Sequence, residues 1–406
     1  MYVQRVGGVI VGAFANPQPG YATEFISDAS TIIIVPKQQM PDLTPTLNTL
    51  MGFALTNSPA QNRLALISAI PLTLQPGRRI LIPDGVYTLD PEITFINGQA
   101  NNEIGGSASC YAYEPNPTSA CLTLKFTAGT NAFDLGAISP PGFGAGSYNK
   151  FSNMALDGQN LCGSAIKSNG LTIIESVNIS NFVEGIWLNE LTNSTIIDRV
   201  SCNKNTNRGL LVGSGLPTFN DNTLFNISRS SFRQNLFGIR IEQGIAYSIY
   251  DTVIESNNSV GLDLFRINTG TGHNQNQGGY FCRLWLENNG AAVDNKPQLN
   301  IASSAGSMNV YDNNNGHVFQ GGGITCYKAS TWTSGNPVFK PLINIDCGHN
   351  ILFDNVALQS ADPLNDGPQR AIITLGQNTS NIKFKGCPGN FKINDFNNGS
   401  TGSGII

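Results

Sequence analysis

The sequence predicts an all-β protein built as a right-handed single-stranded parallel β-helix. Three observations predict it. From about residue 150, short apolar runs recur, many of them opening on a glycine. The glycines of four such runs, Gly185, Gly209, Gly238 and Gly261, advance by 24, 29 and 23 residues. No amphipathic run of helical length stands between them. A period of roughly 20–30 residues with several short strands per unit marks a solenoid. A β-sandwich also has short strands, but they need not repeat at one coil length.

The elements follow in order. Residues 1–36 read as a separate module, with strand-like Val3 to Phe14, a turn from Asn16 to Tyr21 and a second strand from Thr31 to Val35. Residues 37–75 read as a linker followed by a helix. The helix spans Ala60 to Ile70 and has a predicted buried stripe of Leu64, Ile67, Leu66 and Ile70. Pro59 suits its start. Such a helix is well placed to cover the exposed N-terminal end of a solenoid.

Residues 76–395 are assigned to the coils. Ile80 to Ile82 and Val86 to Leu89 flank a Pro-Asp-Gly turn. Each Gly-led run, such as Gly185 to Leu188, follows an earlier strand. Those strands are Val177 to Ile179, Val200 to Cys202, Ser230 to Phe232, Val253 to Ile254 and Leu284 to Leu286. Asn-rich turns follow them, and corner Asn and Ser can hydrogen-bond along the stack. The pattern loosens past Gly321 and returns at Ile343 to Ile345, Ile351 to Leu358 and Ile382 to Ile393. Residues 396–406 read as a flexible tail.

Composition narrows the function. The formal net charge is -4 with 12% charged residues, and no basic stripe suits nucleic acid. No apolar run approaches a membrane span, and the N-terminus lacks the pattern of a cleaved signal peptide. None of the eight cysteines forms a CxxC pair, which argues against zinc. Cys202 and Cys282 read as buried free thiols, whereas Cys110 and Cys121 flank a loop and can pair. The usage fits assembly in a reducing cytoplasm. His273, His317 and His349 lie far apart in sequence, so no metal and no cofactor is expected. Asp157 reads as a turn residue, and clustered aspartates for calcium are not evident. That disfavours a calcium-dependent lyase. Neither a GxSxG elbow nor a P-loop is present.

The helix followed by RRILIPDGVYTL resembles the entry of pectate-lyase-like β-helices. VIESNNSVGLDL and LWLENNGAAV resemble coils of bacteriophage tailspike and tail-fibre proteins in that superfamily. GAFANPQPGYATEFI resembles short phage tail modules. TNSPAQNR replaces the acidic segment common before the capping helix. The resemblance covers roughly residues 60–300. It implies a homotrimer in the virion, assembled in the bacterial host cytoplasm. It also implies that residues 1–36 attach to the phage tail or baseplate, and that a bacterial surface polysaccharide is the target.

Glycoside cleavage needs two carboxyls, about 5–5.5 Å apart for retention or about 6.5–9.5 Å for inversion. Adjacent coils supply such spacing. Glu255 and Glu287 each directly follow the last apolar residue of a strand, Ile254 and Leu286, and are the expected catalytic pair. Arg233 holds the same position one coil earlier, and Trp285 offers a sugar-stacking face. The same Glu-x-Asn pattern also serves as corner chemistry. Trp187, Arg240, Glu242 and Asp263 lie on the Gly-led strands and can line a groove. Arg240 and Asp263 equally suit an ion pair facing solvent or a second subunit. Two functions stay open: a glycoside hydrolase acting on capsule or O-antigen, and a non-catalytic receptor-binding fibre. The chain is short for a tailspike with an added C-terminal domain, which tilts toward a compact fibre.

Overall fold

A computed structural model describes residues 2–6, 9–14, 23–25, 33–36, 53–70, 78–94, 102–107, 109–110, 121–135, 149–189, 194–213, 222–267, 276–290, 296–304, 314–327, 341–361, 371–389, 391–395 and 403–405. The chain divides into two compact units, Met1–Phe182 and Val183–Ile406.

The first unit opens with antiparallel strands. Tyr2–Val6 pairs with Val9–Phe14 and Thr23–Phe25, and Ile33–Pro36 runs antiparallel to Arg78–Leu81. The predicted linker from 37 to 52 lies outside the described residues. The helix is Pro59–Ala69, with Ser58 as its N-cap. The Ser58 hydroxyl accepts from the Gln61 backbone N–H, and the Gln61 side chain accepts in return from the Ser58 N–H. Ser58→Ala is expected to cost about 1 kcal/mol of stability, read as a lowered thermal midpoint.

The buried face of this helix keeps Leu66 and Ile70 of the predicted stripe and departs from it at Leu64. Asn62, Ala65, Leu66 and Ala69 are buried, while Leu64 is 63% exposed. Asn62 sets the rotation. Its amide donates to the Ala54 and Thr88 carbonyls at 3.0 and 3.1 Å, and its oxygen accepts from the Ala54 N–H at 3.0 Å. Satisfying that buried amide outweighs burying Leu64.

Beyond the helix the pairings become parallel. Arg78–Leu81 pairs with Asn102–Gly105, which pairs with Asn149–Asp157, which pairs with Thr172–Ser180. Gly85–Leu89 pairs with Leu122–Phe126, and Gly129–Leu135 with Cys162–Ser168. Cys110 and Cys121 form a disulfide.

The second unit stacks coils whose strands fall into registered columns. One column runs Glu184–Leu188, Arg208–Val212, Phe237–Ile241, Leu262–Arg266 and Leu299–Ser303. A second runs Ile196–Asn203, Ser231–Arg233, Val253–Glu255, Trp285–Glu287, Gly323–Tyr327 and Ala357–Ala361. A third holds the three-residue strands Asn226–Ser228, Ser248–Tyr250, Tyr280–Cys282 and Val318–Gln320. Every one of these pairings is parallel. Register between coils puts like on like. Ile186, Leu210, Ile239, Leu262 and Leu299 align and are fully buried.

Two stacks lock the register. Phe281, Phe319, Phe353 and Phe384 lie face to face, with ring centroids 4.3, 4.7 and 4.7 Å apart. At one corner Asn205, Asn235, Asn257 and Asn289 form a buried ladder. Each side-chain oxygen from Asn235 onward accepts from the backbone and side-chain N–H of the Asn one coil earlier. The residue before each ladder Asn (Lys204, Gln234, Ser256, Asn288) takes a positive φ between 52° and 56°, which turns the chain. Cys202 is buried as predicted, whereas Cys282 is only half-buried. Gly404–Ile405, within the predicted flexible tail, pairs with Lys383 and Phe384.

Candidate functional site

The second unit carries every candidate residue. Alternation in Val253–Glu255 and Trp285–Glu287 buries the central Ile254 and Leu286 and turns their neighbours outward. Arg233, Glu255 and Glu287 fall in one register column on three successive coils. In-register neighbours stand about 4.8 Å apart. Arg233 Nη2 is ion-paired with Glu255 Oε1, and both side chains are largely covered. The Glu287 carboxylate accepts from Trp285 Nε1 at 2.7 Å and from Asn288 Nδ2 at 3.5 Å.

Trp285 is 36% exposed and lies against Gly323 on the next coil. A Cβ at Gly323 would meet the indole ring at 2.7 Å. Glycine therefore lets the ring lie down against the sheet, where the bond to Glu287 holds it. An aromatic face beside two stacked carboxyls can bind a sugar ring and its hydroxyls.

The Gly-led column holds the second group. Trp187 aligns with Leu211, then Arg240, Asp263 and Asn300. Arg240 donates from Nε to Glu242 at 2.8 Å and from Nη1 to Asp263 at 3.0 Å. Its guanidinium also sits 4.3 Å from the Phe265 ring centroid. Asn300 donates to the other Asp263 oxygen at 2.8 Å, and Asn344 donates to Asn300 at 2.9 Å. Asp263 is thus buried with both oxygens engaged. Burial pushes its carboxyl above the usual range, against the charge of Arg240 and the Asn300 amide. Trp187 donates from its indole N–H to the Gly213 carbonyl at 2.8 Å, and Glu242 packs over the same Gly213.

The two groups are separate. Glu255 and Glu287 end their strands before the Asn-ladder corner, whereas Trp187, Arg240 and Asp263 lie on the strands after it. Sequence reasoning missed Glu184, Asn207 and Arg208 beside the second group. Glu184 and Arg208 are in register on adjacent coils. Arg208 Nη1 and Asn207 Nδ2 donate to Glu184 Oε1 at 3.2 and 2.7 Å. Burial pushes the Glu184 carboxyl up to about 7, opposed by the Arg208 charge and the Asn207 bond and reinforced by Glu242. The only signal was its place directly before Gly185.

Among the described residues, no group of three or more His, Cys, Asp or Glu side chains is arranged to hold a metal. His317 is buried, accepts from the Gly279 N–H through Nδ1 and is pushed down to about 3 by that burial. His273 lies outside the described residues. No described helix is long and apolar enough to cross a membrane.

No protein-family model and no curated protein matches the chain. Among solved structures it is similar to the A-module of the mannuronan C-5 epimerase AlgE4 of Azotobacter vinelandii. The TM-score is 0.61 at 13% identity, over 87% of this chain and 92% of that one. It is also similar to the DFA-IIIase of Arthrobacter chlorophenolicus A6, with TM-score 0.51 at 9% identity, over 81% and 91% of the two chains. The enzymatically active domain of bacteriophage CBA120 tailspike protein 2 aligns at TM-score 0.47 and 9% identity, over 95% of this chain and half (50%) of that one. The first two likenesses, with the parallel columns, define the class: a parallel β-helix protein.

Proposed function

We propose that this protein is a bacteriophage tail fibre or tailspike that binds a bacterial surface polysaccharide and hydrolyses it at Glu255 and Glu287. The observation that carries the proposal is the registered stack of these two carboxyls beside the exposed face of Trp285. The resemblance of the repeats to phage tailspike coils supplies the biological setting. In that setting the protein is a homotrimer in the virion, assembled in the host cytoplasm, and residues 1–36 attach to the tail or baseplate.

Hydrolysis needs no group beyond these residues and water. One carboxyl protonates the leaving glycosidic oxygen as the C–O bond breaks, and the other attacks the anomeric carbon or activates water. Arg233 holds Glu255 next to a positive charge, which suits the nucleophile. Glu287 is then the acid. Arg240, Glu242 and Asp263 fix the neighbouring face, and Trp187 adds a second ring for the polysaccharide. Incubation of the full chain with purified capsular polysaccharides and O-antigens is expected to release new reducing ends from at least one of them.

One observation favours a second reading. The Arg233–Glu255 ion pair is also what a purely structural column would contain. In that case the protein is a receptor-binding fibre without depolymerase activity. It binds polysaccharide and releases no reducing ends.

A further inference from the structure

Two tyrosines on the outer face of the third column have no part in the glycan reading. Alternation in Ser248–Tyr250 and Tyr280–Cys282 buries Ile249 and Phe281 and turns Tyr250 and Tyr280 outward. Tyr250 is in register with Cys282, so Tyr280 lies one coil and two residues away. A rung of about 4.8 Å and a two-residue rise of about 6.6 Å put the two Cα atoms roughly 8 Å apart on one face. Tyr250 is half-buried, and Tyr280 is 40% exposed. The Tyr280 hydroxyl donates to Gln320 Oε1 on the next coil, which ties the ring down at its far end. Trp285 is tied in the same way to Glu287.

The corner beside these tyrosines carries Asp251 and Arg283. Arg283 donates from Nε and Nη2 to the two Asp251 oxygens at 2.5 and 2.7 Å. That geometry leaves Nη1 for a ligand. The Arg283 and Asp251 side chains stand out in solvent, 64% and 39% exposed. Both residues take a positive φ, 52° and 50°. The same corner on later coils holds Gly321, Asn355 and Gly386, which adopt that conformation at less cost. An exposed ion pair adds little stability, so folding alone does not account for this one. A tied-down ring beside oriented donors and acceptors suits a sugar, which offers an apolar face for stacking and hydroxyls for hydrogen bonds.

We propose that Tyr250, Tyr280, Asp251 and Arg283 form a second saccharide-binding subsite, on the third-column face and separate from the carboxyl pair. Its ligand is a polysaccharide whose rings stack on the tyrosines and whose hydroxyls bond to Arg283 and Asp251. The subsite rests on the glycan reading above and adds a grip on the same polymer, across the corner from Trp285. Two grips on one polymer raise its affinity above that of either face alone.

The test is calorimetric titration of the full chain, with light scattering on the same samples. The titrant is the tightest-binding member of an array of purified capsular polysaccharides and O-antigens. Tyr280→Ala is expected to raise the dissociation constant about tenfold, and Tyr280→Phe, which keeps the ring, by no more than about threefold. Arg283→Gln is expected to raise it about tenfold, the loss of one hydrogen bond to a charged group. Combining Tyr280→Ala with Trp285→Ala is expected to cost about a hundredfold, because separate sites add in free energy. Binding by Tyr280→Ala and Arg283→Gln within about twofold of wild type overturns the subsite and leaves the glycan reading intact. So does a loss that Tyr280→Phe shares in full, which places the effect on the Gln320 bond and not on the ring. A change of oligomeric state in Tyr280→Ala also overturns it, and makes this face a contact between copies of the chain. If the wild type binds no array member, the glycan reading itself fails, and the subsite with it.

Discussion

Asn257→Leu is expected to lower the unfolding free energy by about 2–6 kcal/mol, at roughly 1–3 for each of the two buried groups it orphans, the Asn235 N–H and the Phe232 carbonyl. Asn257 Oδ1 accepts from both the backbone and side-chain N–H of Asn235, at 2.9 and 3.0 Å. Its Nδ2 donates to the Phe232 carbonyl at 3.0 Å and to Asn289 Oδ1 at 2.7 Å. Leucine has the same branched shape and supplies none of these bonds. The corner is sealed from water, so solvent cannot replace them. Asn258, one residue on, is exposed, and Asn258→Ala is expected to change stability by no more than about 0.5 kcal/mol. Denaturant unfolding followed by tryptophan fluorescence separates the two. Equal midpoints for both variants would remove the ladder from the account of stability.

Glu255→Gln and Glu287→Gln are each expected to slow release of reducing ends by about 10²–10⁴-fold, the usual contribution of a positioned acid or base. Both substitutions keep the side-chain shape. A glutamine at 287 still accepts from Trp285 Nε1, so polysaccharide affinity is expected to stay within a few-fold. The coil spacing of about 4.8 Å lies close to the separation of about 5–5.5 Å in retaining enzymes. Products should therefore keep the anomeric configuration of the substrate, read by NMR of early product. Release that persists in both variants places the chemistry elsewhere.

Much of this was legible in the sequence, for a physical reason. Glycine-led strands and Asn-rich corners recur in the four coils whose glycines are Gly185, Gly209, Gly238 and Gly261, because stacking demands the same backbone at the same place. Glu255 and Glu287 were placed together by their shared context, an apolar residue before and an Asn two residues on. The phenylalanine stack was not legible. Phe281, Phe319, Phe353 and Phe384 are separated by coils of unequal length, and two of them sit on three-residue strands too short to show a period. The helix was found, and Leu66 and Ile70 of its predicted stripe are buried, but Leu64 is not. Asn62 sets the rotation through polar bonds to which a hydrophobic pattern is blind. Glu184 escaped because its column carries Arg208 and Phe237 on the next coils. A position that changes chemical class at each coil leaves no repeat to read.

The outward strands of the second unit as a polysaccharide surface are tested most directly by glycan-array binding. The full chain is compared with variants carrying Trp285→Ala and Trp187→Ala. Binding of at least one capsular polysaccharide or O-antigen is expected, weakened about tenfold, or roughly 1.4 kcal/mol, by loss of Trp285. Undiminished binding by the double variant, or no binding of any glycan by the folded wild type, would contradict it.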